Sequence, residues 1–135
     1  MEFIYERENF IPPEVCAQII DKFEKGDNKR NGTTTKGLDT GYKRSTEIRL
    51  YGNGHWDDEL NYFDEVLERA RNEYIMHIKP LDRNGLLDAV LRDSHVYPPQ
   101  IQRTLPGEFY HWHSDANIPT SFKTFTYILY LNDVD

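Results

Sequence analysis

Residues 106–115 read PGEFYHWHSD, and the placement of the last three decides both the fold class and the chemistry expected of this chain. Residues two apart on a β-strand share a face. His113 and Asp115 would therefore present an imidazole and a carboxylate together, provided the strand bends just after the histidine. The following SDANIP supplies such a bend. One imidazole and one carboxylate are part of the 2-His-1-carboxylate set that holds Fe(II) on one face and leaves the opposite face open. H-x-D is a short pattern that also occurs as a surface hydrogen-bonding pair, so the surroundings must decide.

Those surroundings read as sheet. IQRT, EFYHWH and KTFTYILYLN are short, rich in aromatic and β-branched residues, and separated by turn chemistry at LPG and NIPTS. Upstream the character is helical. Pro12 and Pro13 suit a first turn, Val15, Cys16, Ile19, Ile20 and Phe23 follow at helical spacing, and Gly26 ends the run. A second, longer helix is expected from Trp56 to Ile78, with Leu60, Phe63, Leu67, Ala70, Tyr74 and Ile78 as one buried stripe and Pro80 as its stop. A short helix is weakly marked around NGLLDAVLRD. Between the two main helices, NKRNGTTTKGLDTGYKR reads as an exposed loop, and STEIRLYG as a strand with Ile48 and Leu50 on one face.

A chain of 135 residues, 38% hydrophobic and 13% aromatic, has material for one packed domain. Its net charge of -7 and pI of 5.2 would repel a polyphosphate backbone, which argues against nucleic acid as a partner. No apolar run approaches the roughly eighteen residues of a membrane span, and MEFIYERENF lacks the basic flank and apolar core of a secretory signal. The single Cys16 cannot form an internal disulfide. A soluble, cytoplasmic setting is expected.

Together, PGEFYHWHSD and KTFTYILYLND resemble the Fe(II)- and 2-oxoglutarate-dependent dioxygenases of the prolyl 4-hydroxylase type. The residues that carry the likeness are Gly107, Tyr110, His113, Asp115, Thr126, Tyr130, Leu131 and Asn132, with Lys123 where a basic residue is usual. NFIPPEVCAQIIDKFE is similar to the family's opening helix. The resemblance runs loosely over the whole chain and tightly over residues 101–132. It implies an α+β fold, a double-stranded β-helix or jelly roll with the N-terminal helices outside one sheet. It also implies a hydroxylase acting on a peptidyl side chain such as proline, or on a related small substrate. Fe(II) and 2-oxoglutarate, with ascorbate, are the implied cofactors. His113 and Asp115 would be metal ligands, and Tyr110, Thr126 and Tyr130 would line the cosubstrate. For Tyr130, a half-buried sheet aromatic is the competing reading.

The pattern also departs from the family. Arg103 and Thr104 stand where another tyrosine is common, and no histidine or arginine follows Asp115. The distal metal histidine, the base that pairs with 2-oxoglutarate and the last strands are therefore expected to lie beyond residue 135. The chain reads as the front of a single oxygenase-type domain, inactive by itself and prone to pair with a second copy through an open sheet edge. His55, His77 and His95 read as ordinary surface or capping histidines. His111 shares a strand face with His113 and either borders the cavity or chelates zinc. The second possibility resembles the H-x-H-x-D-H element of metallo-β-lactamase-type hydrolases, with Ala116 in place of its final histidine. A non-catalytic jelly-roll module for ligand binding or assembly is the remaining alternative.

Overall fold

The computed structural model describes residues 3–115 and 125–133. Helix α1 spans Pro13–Lys25, with Glu14 in its first turn and Lys22 and Lys25 in its last, the polarity the helix dipole favours. At its end, the Gly26 N–H donates to the carbonyls of Lys22 and Phe23 at 3.0 and 3.3 Å. Ile19 and Phe23 form its buried face. The chain divides into two compact units, one combining Met1–Val15 with Arg49–Gln100, the other Cys16–Ile48 with Ile101–Asp135.

The first unit is helical. A 3-10 turn, Gly54–Trp56, leads into α2, Asp57–Ile78, which starts on Asp57, Asp58 and Glu59 and stops before Pro80. Helix α3, Leu86–Asp93, packs against α2. Trp56, Leu50 and Ile78 are almost fully buried, joined by Ile11, Val66, Ile75 and Leu91. Burying each such side chain stabilises by roughly 1.5–3 kcal/mol. The extended N-terminal segment is tied to α2 by three polar contacts. Tyr5 donates to Glu73 at 2.8 Å, Tyr74 donates to the Phe3 carbonyl at 3.0 Å, and Arg69 donates to the Phe10 carbonyl at 2.5 Å while covering the Phe10 ring. Of the six stripe positions expected from periodicity only Ile78 is fully buried, whereas Val66 and Ile75, which the stripe omitted, are buried as well. Among the described residues no helix is long and apolar enough to cross a membrane.

The second unit holds the strands. A three-stranded sheet has the order β1 (Arg30–Asn31), β3 (Thr46–Arg49), β4 (Gln100–Arg103), and β1 pairs antiparallel with β3 through Arg30↔Glu47 and Asn31↔Thr46. A second sheet joins β2 (Lys43–Arg44) to β5 (Phe109–Tyr110), antiparallel, with Lys43↔Tyr110 and Arg44↔Phe109. One side of β3 meets α1. Arg103 bonds Glu24 at 2.5 Å and lies over the Phe23 ring, its Nη2 reaches Thr46 at 3.5 Å, and Ile48 is 1% exposed.

The opposite side of β3 is charged and equally buried. Glu47, Ser45 and Lys43 are 1%, 5% and 4% exposed, and the Lys43 ammonium donates to Glu47 Oε1. Arg30 Nη2 adds a second cation 3.7 Å from Glu47 Oε2. Gly32 closes over the group, since a Cβ there would lie 2.1 Å from Ser45 Oγ and 3.0 Å from both Glu47 Oε1 and Lys43 Cε.

Two expectations are corrected here. The stretch read as a loop, residues 28–44, begins and ends in β1 and β2, because its basic residues are drawn inward by Glu47 and by the aromatics of β5. The sheet expected from Ile101 onward is confined among the described residues to β4 and β5, and residues 125–133 of KTFTYILYLN and its end carry no strand. Lys123 lies outside the described residues.

Candidate metal centre

The site is built on a Pro-Gly turn. Pro106 fixes the first corner and Gly107 sits at φ 84°, the conformation a type II turn demands at its third position. Glu108 N–H closes the turn on the Leu105 carbonyl at 2.9 Å, and Glu108 Oε2 accepts from Leu105 N–H at 2.7 Å. The turn delivers β5 to β2, where both cross-strand pairs are cation over aromatic. Lys43 Nζ stands 4.6 Å from the Tyr110 ring centroid, and the Arg44 guanidinium 4.5 Å from that of Phe109.

Beyond Tyr110 the chain leaves the strand. His111 N–H still donates to the Tyr42 carbonyl at 3.0 Å, but the backbone bends at Trp112, and the Tyr42 hydroxyl caps the bend by donating to the Trp112 carbonyl at 3.0 Å. The corner therefore falls before His113 as well as at Asp115, not only after the histidine as expected. As a result His113 folds back over Tyr110, with ring centroids 3.6 Å apart and planes inclined by 16°.

His113 Nδ1 lies 2.8 Å from the His111 carbonyl oxygen, which can only accept, so Nδ1 carries the proton. That leaves Nε2 facing Asp115 Oδ1 at 3.6 Å. Thr126 donates to the other carboxylate oxygen, Oδ2, at 3.1 Å and holds the carboxyl plane. Two lone-pair donors that face each other repel unless a cation, a proton or a metal ion, lies between them. Ligands at neighbouring corners of an octahedral cation with bonds of about 2.1 Å stand roughly 3 Å apart. The observed gap is slightly wider, and a small closure would let both donors share one ion. An imidazole with its far nitrogen on a carbonyl and a carboxylate anchored by a hydroxyl are donor types that Fe(II) accepts. Burial raises the Tyr110 hydroxyl pKa above its ordinary value, with the charges of Asp115 and Glu47 adding to it, so the phenol is neutral around pH 7.

Of the residues singled out from sequence, Tyr110, His113, Asp115 and Thr126 are brought together. Tyr130 is 61% exposed and outside that group. His111 does not share a face with His113. Its ring packs on Phe109 at 4.9 Å and Tyr42 at 5.6 Å, because the strand period ends at Tyr110. His77 stacks between Tyr5 and Tyr74 in the helical unit, and His55 meets Trp56 edge-on. Among the described residues no group of three or more His, Cys, Asp or Glu converges. Sequence reasoning missed Tyr42, Lys43 and Glu47. Their one signal is the alternation of Lys43, Ser45 and Glu47, which reads as a solvent-facing polar side. Compared with known families, curated proteins and solved structures, the chain matches none.

Proposed function

We propose that this chain carries the metal site of an Fe(II)- and 2-oxoglutarate-dependent dioxygenase of the prolyl 4-hydroxylase type. On this reading the reaction it belongs to is hydroxylation of a peptidyl side chain such as proline, or of a related small substrate, within a double-stranded β-helix. The 135 residues alone do not turn over, since two ligands and no third converge among the described residues. The carrying observation is the convergence of His113 Nε2 and Asp115 Oδ1 at 3.6 Å, each oriented from behind, by the His111 carbonyl and Thr126. His113 and Asp115 would hold the ion, while Tyr110, Thr126 and Tyr130 would line the cosubstrate, Tyr130 as a hydrogen-bond donor to it. When bound, Fe(II) and 2-oxoglutarate would activate dioxygen, the oxidant, with two electrons coming from 2-oxoglutarate as it loses CO2 and two from the hydroxylated substrate. The lone Cys16 supports a reducing, cytoplasmic setting.

The test is linkage. Mn(II), as a redox-silent substitute for Fe(II), is titrated into the protein by electron paramagnetic resonance with and without 2-oxoglutarate. A chelating cosubstrate must tighten the metal and the metal must tighten the cosubstrate by the same factor. Independent binding of the two would end this reading. A second reading, a non-catalytic module for ligand binding or assembly with a second copy, is favoured by the exposed apolar side chains Trp112, Ile128 and Tyr130, at 99%, 68% and 61%. It predicts no linkage.

A further inference from the structure

We propose that the buried Lys43–Glu47 pair is a positioning device for His113, acting through the ring of Tyr110. Lys43 and Glu47 are 4% and 1% exposed, and charges so placed are costly unless every partner is fixed. Here they are fixed on several sides. Glu47 receives Lys43, lies 3.7 Å from Arg30 and 3.5 Å from Ser45 Oγ, and is roofed by Gly32. The ammonium therefore cannot wander. It stands 4.6 Å from the centroid of Tyr110, its direct cross-strand partner.

Tyr110 passes that constraint on. Its ring is 3.6 Å from the His113 ring and nearly parallel to it, so the plane of the tyrosine sets the plane of the imidazole. With Nδ1 on the His111 carbonyl, one rotation remains to be chosen, and the stack chooses the one that turns Nε2 toward Asp115. The surroundings of the ion pair thus reach the metal edge of His113 without either charge touching it. Outer partners of a ligating histidine commonly set metal affinity by about 10- to 100-fold. The consequence for metal affinity rests on the reading of His113 and Asp115 as ligands, whereas the orientation of the ring does not.

Both are measured on the full chain. Proton NMR of the metal-free protein should place the His113 ring protons upfield of an unstructured histidine, as shielding by a stacked ring requires. The variant Lys43→Met/Glu47→Gln removes both charges of the pair at once, and the cation left opposite the new glutamine, Arg30, keeps a side chain 36% exposed to water. It should keep its circular dichroism spectrum, lose the upfield shift and bind Mn(II) about tenfold more weakly. Lys43→Arg, which retains cation and ion pair, should restore both readings.

A folded double variant with unchanged ring shifts would overturn the proposal, as would wild-type ring protons at unstructured positions. If the double variant does not fold, Tyr110→Leu, which spares the pair, must lose the shift while Tyr110→Phe keeps it; equal shifts in those two overturn the proposal. Absence of Mn(II) binding to the wild type would remove the metal reading, and the ring shifts would still decide the positioning role.

Discussion

Helix α2 and the corner at residues 110–115 are held in opposite ways. The helix is fixed by apolar burial at Val66, Ile75 and Ile78, where any well-packed side chain of the right volume would serve. The corner has almost no apolar burial. His111, His113 and Asp115 are exposed and Trp112 is 99% exposed, yet its backbone and side chains have polar partners: Tyr42 for the His111 N–H and the Trp112 carbonyl, the His111 carbonyl for the His113 ring, and Thr126 for the Asp115 carboxylate. Side chains held this way are placed for direction rather than for stability. Substitutions in the two regions should therefore separate folding from binding.

The largest effect is expected where the corner meets buried charge. Lys43→Met alone leaves Glu47 buried with Ser45 Oγ at 3.5 Å and one remaining counter-charge, Arg30, at 3.7 Å, and should lower the unfolding free energy by about 3–5 kcal/mol in urea titrations. Ile78→Ala in the helical unit empties a fully buried position and should cost about 2–5 kcal/mol, while the folded fraction binds Mn(II) as the wild type does. An effect of Ile78→Ala on metal affinity would dissolve the contrast drawn above.

On the other side, Thr126→Val should leave the urea midpoint in place and weaken Mn(II) binding about tenfold, since it removes a hydrogen bond that orients the Asp115 carboxyl. The smallest effect concerns the N-terminal strap. Donation to Glu73 raises the Tyr5 pKa above 10, so the contact is intact below that value and is lost as pH rises through the folded-state value. Proteolysis after the N-terminal segment should accelerate in that alkaline window, and Tyr5→Phe should flatten the part of the pH dependence that Tyr5 carries, leaving the part due to Tyr74, whose hydroxyl donates to the Phe3 carbonyl.

The parts legible in the sequence are those whose signals are local. Pro12, Pro13 and Gly26 bracket α1, acidic residues and Pro80 bracket α2, and both helices lie where spacing and punctuation put them. On α2 the expected stripe is half-buried apart from Ile78, and the fully buried side also takes in Val66 and Ile75, because burial follows the elements that pack on a helix and these are not written in its own spacing. Burial of Glu47 was equally invisible. A strand with Lys, Ser and Glu on one side reads as half-solvated, and only the arrival of Phe109 and Tyr110 from far along the chain makes that side an interior. His113 and Asp115 were legible as a pair through H-x-D. The reason they converge was not, because it lies in a stack on Tyr110 and a bond from Tyr42 rather than in strand alternation.

The chain has two tryptophans, one in each unit: Trp56 at 1% exposure in the helical part and Trp112 at 99% beside His113. Their emission should separate cleanly, blue for the enclosed indole and red for the one in water, and an aqueous quencher should silence only the second. The protein is thus fitted with a built-in optical reporter at the corner of residues 110–115 and an internal reference elsewhere, so any change at that corner can be followed without attaching a dye.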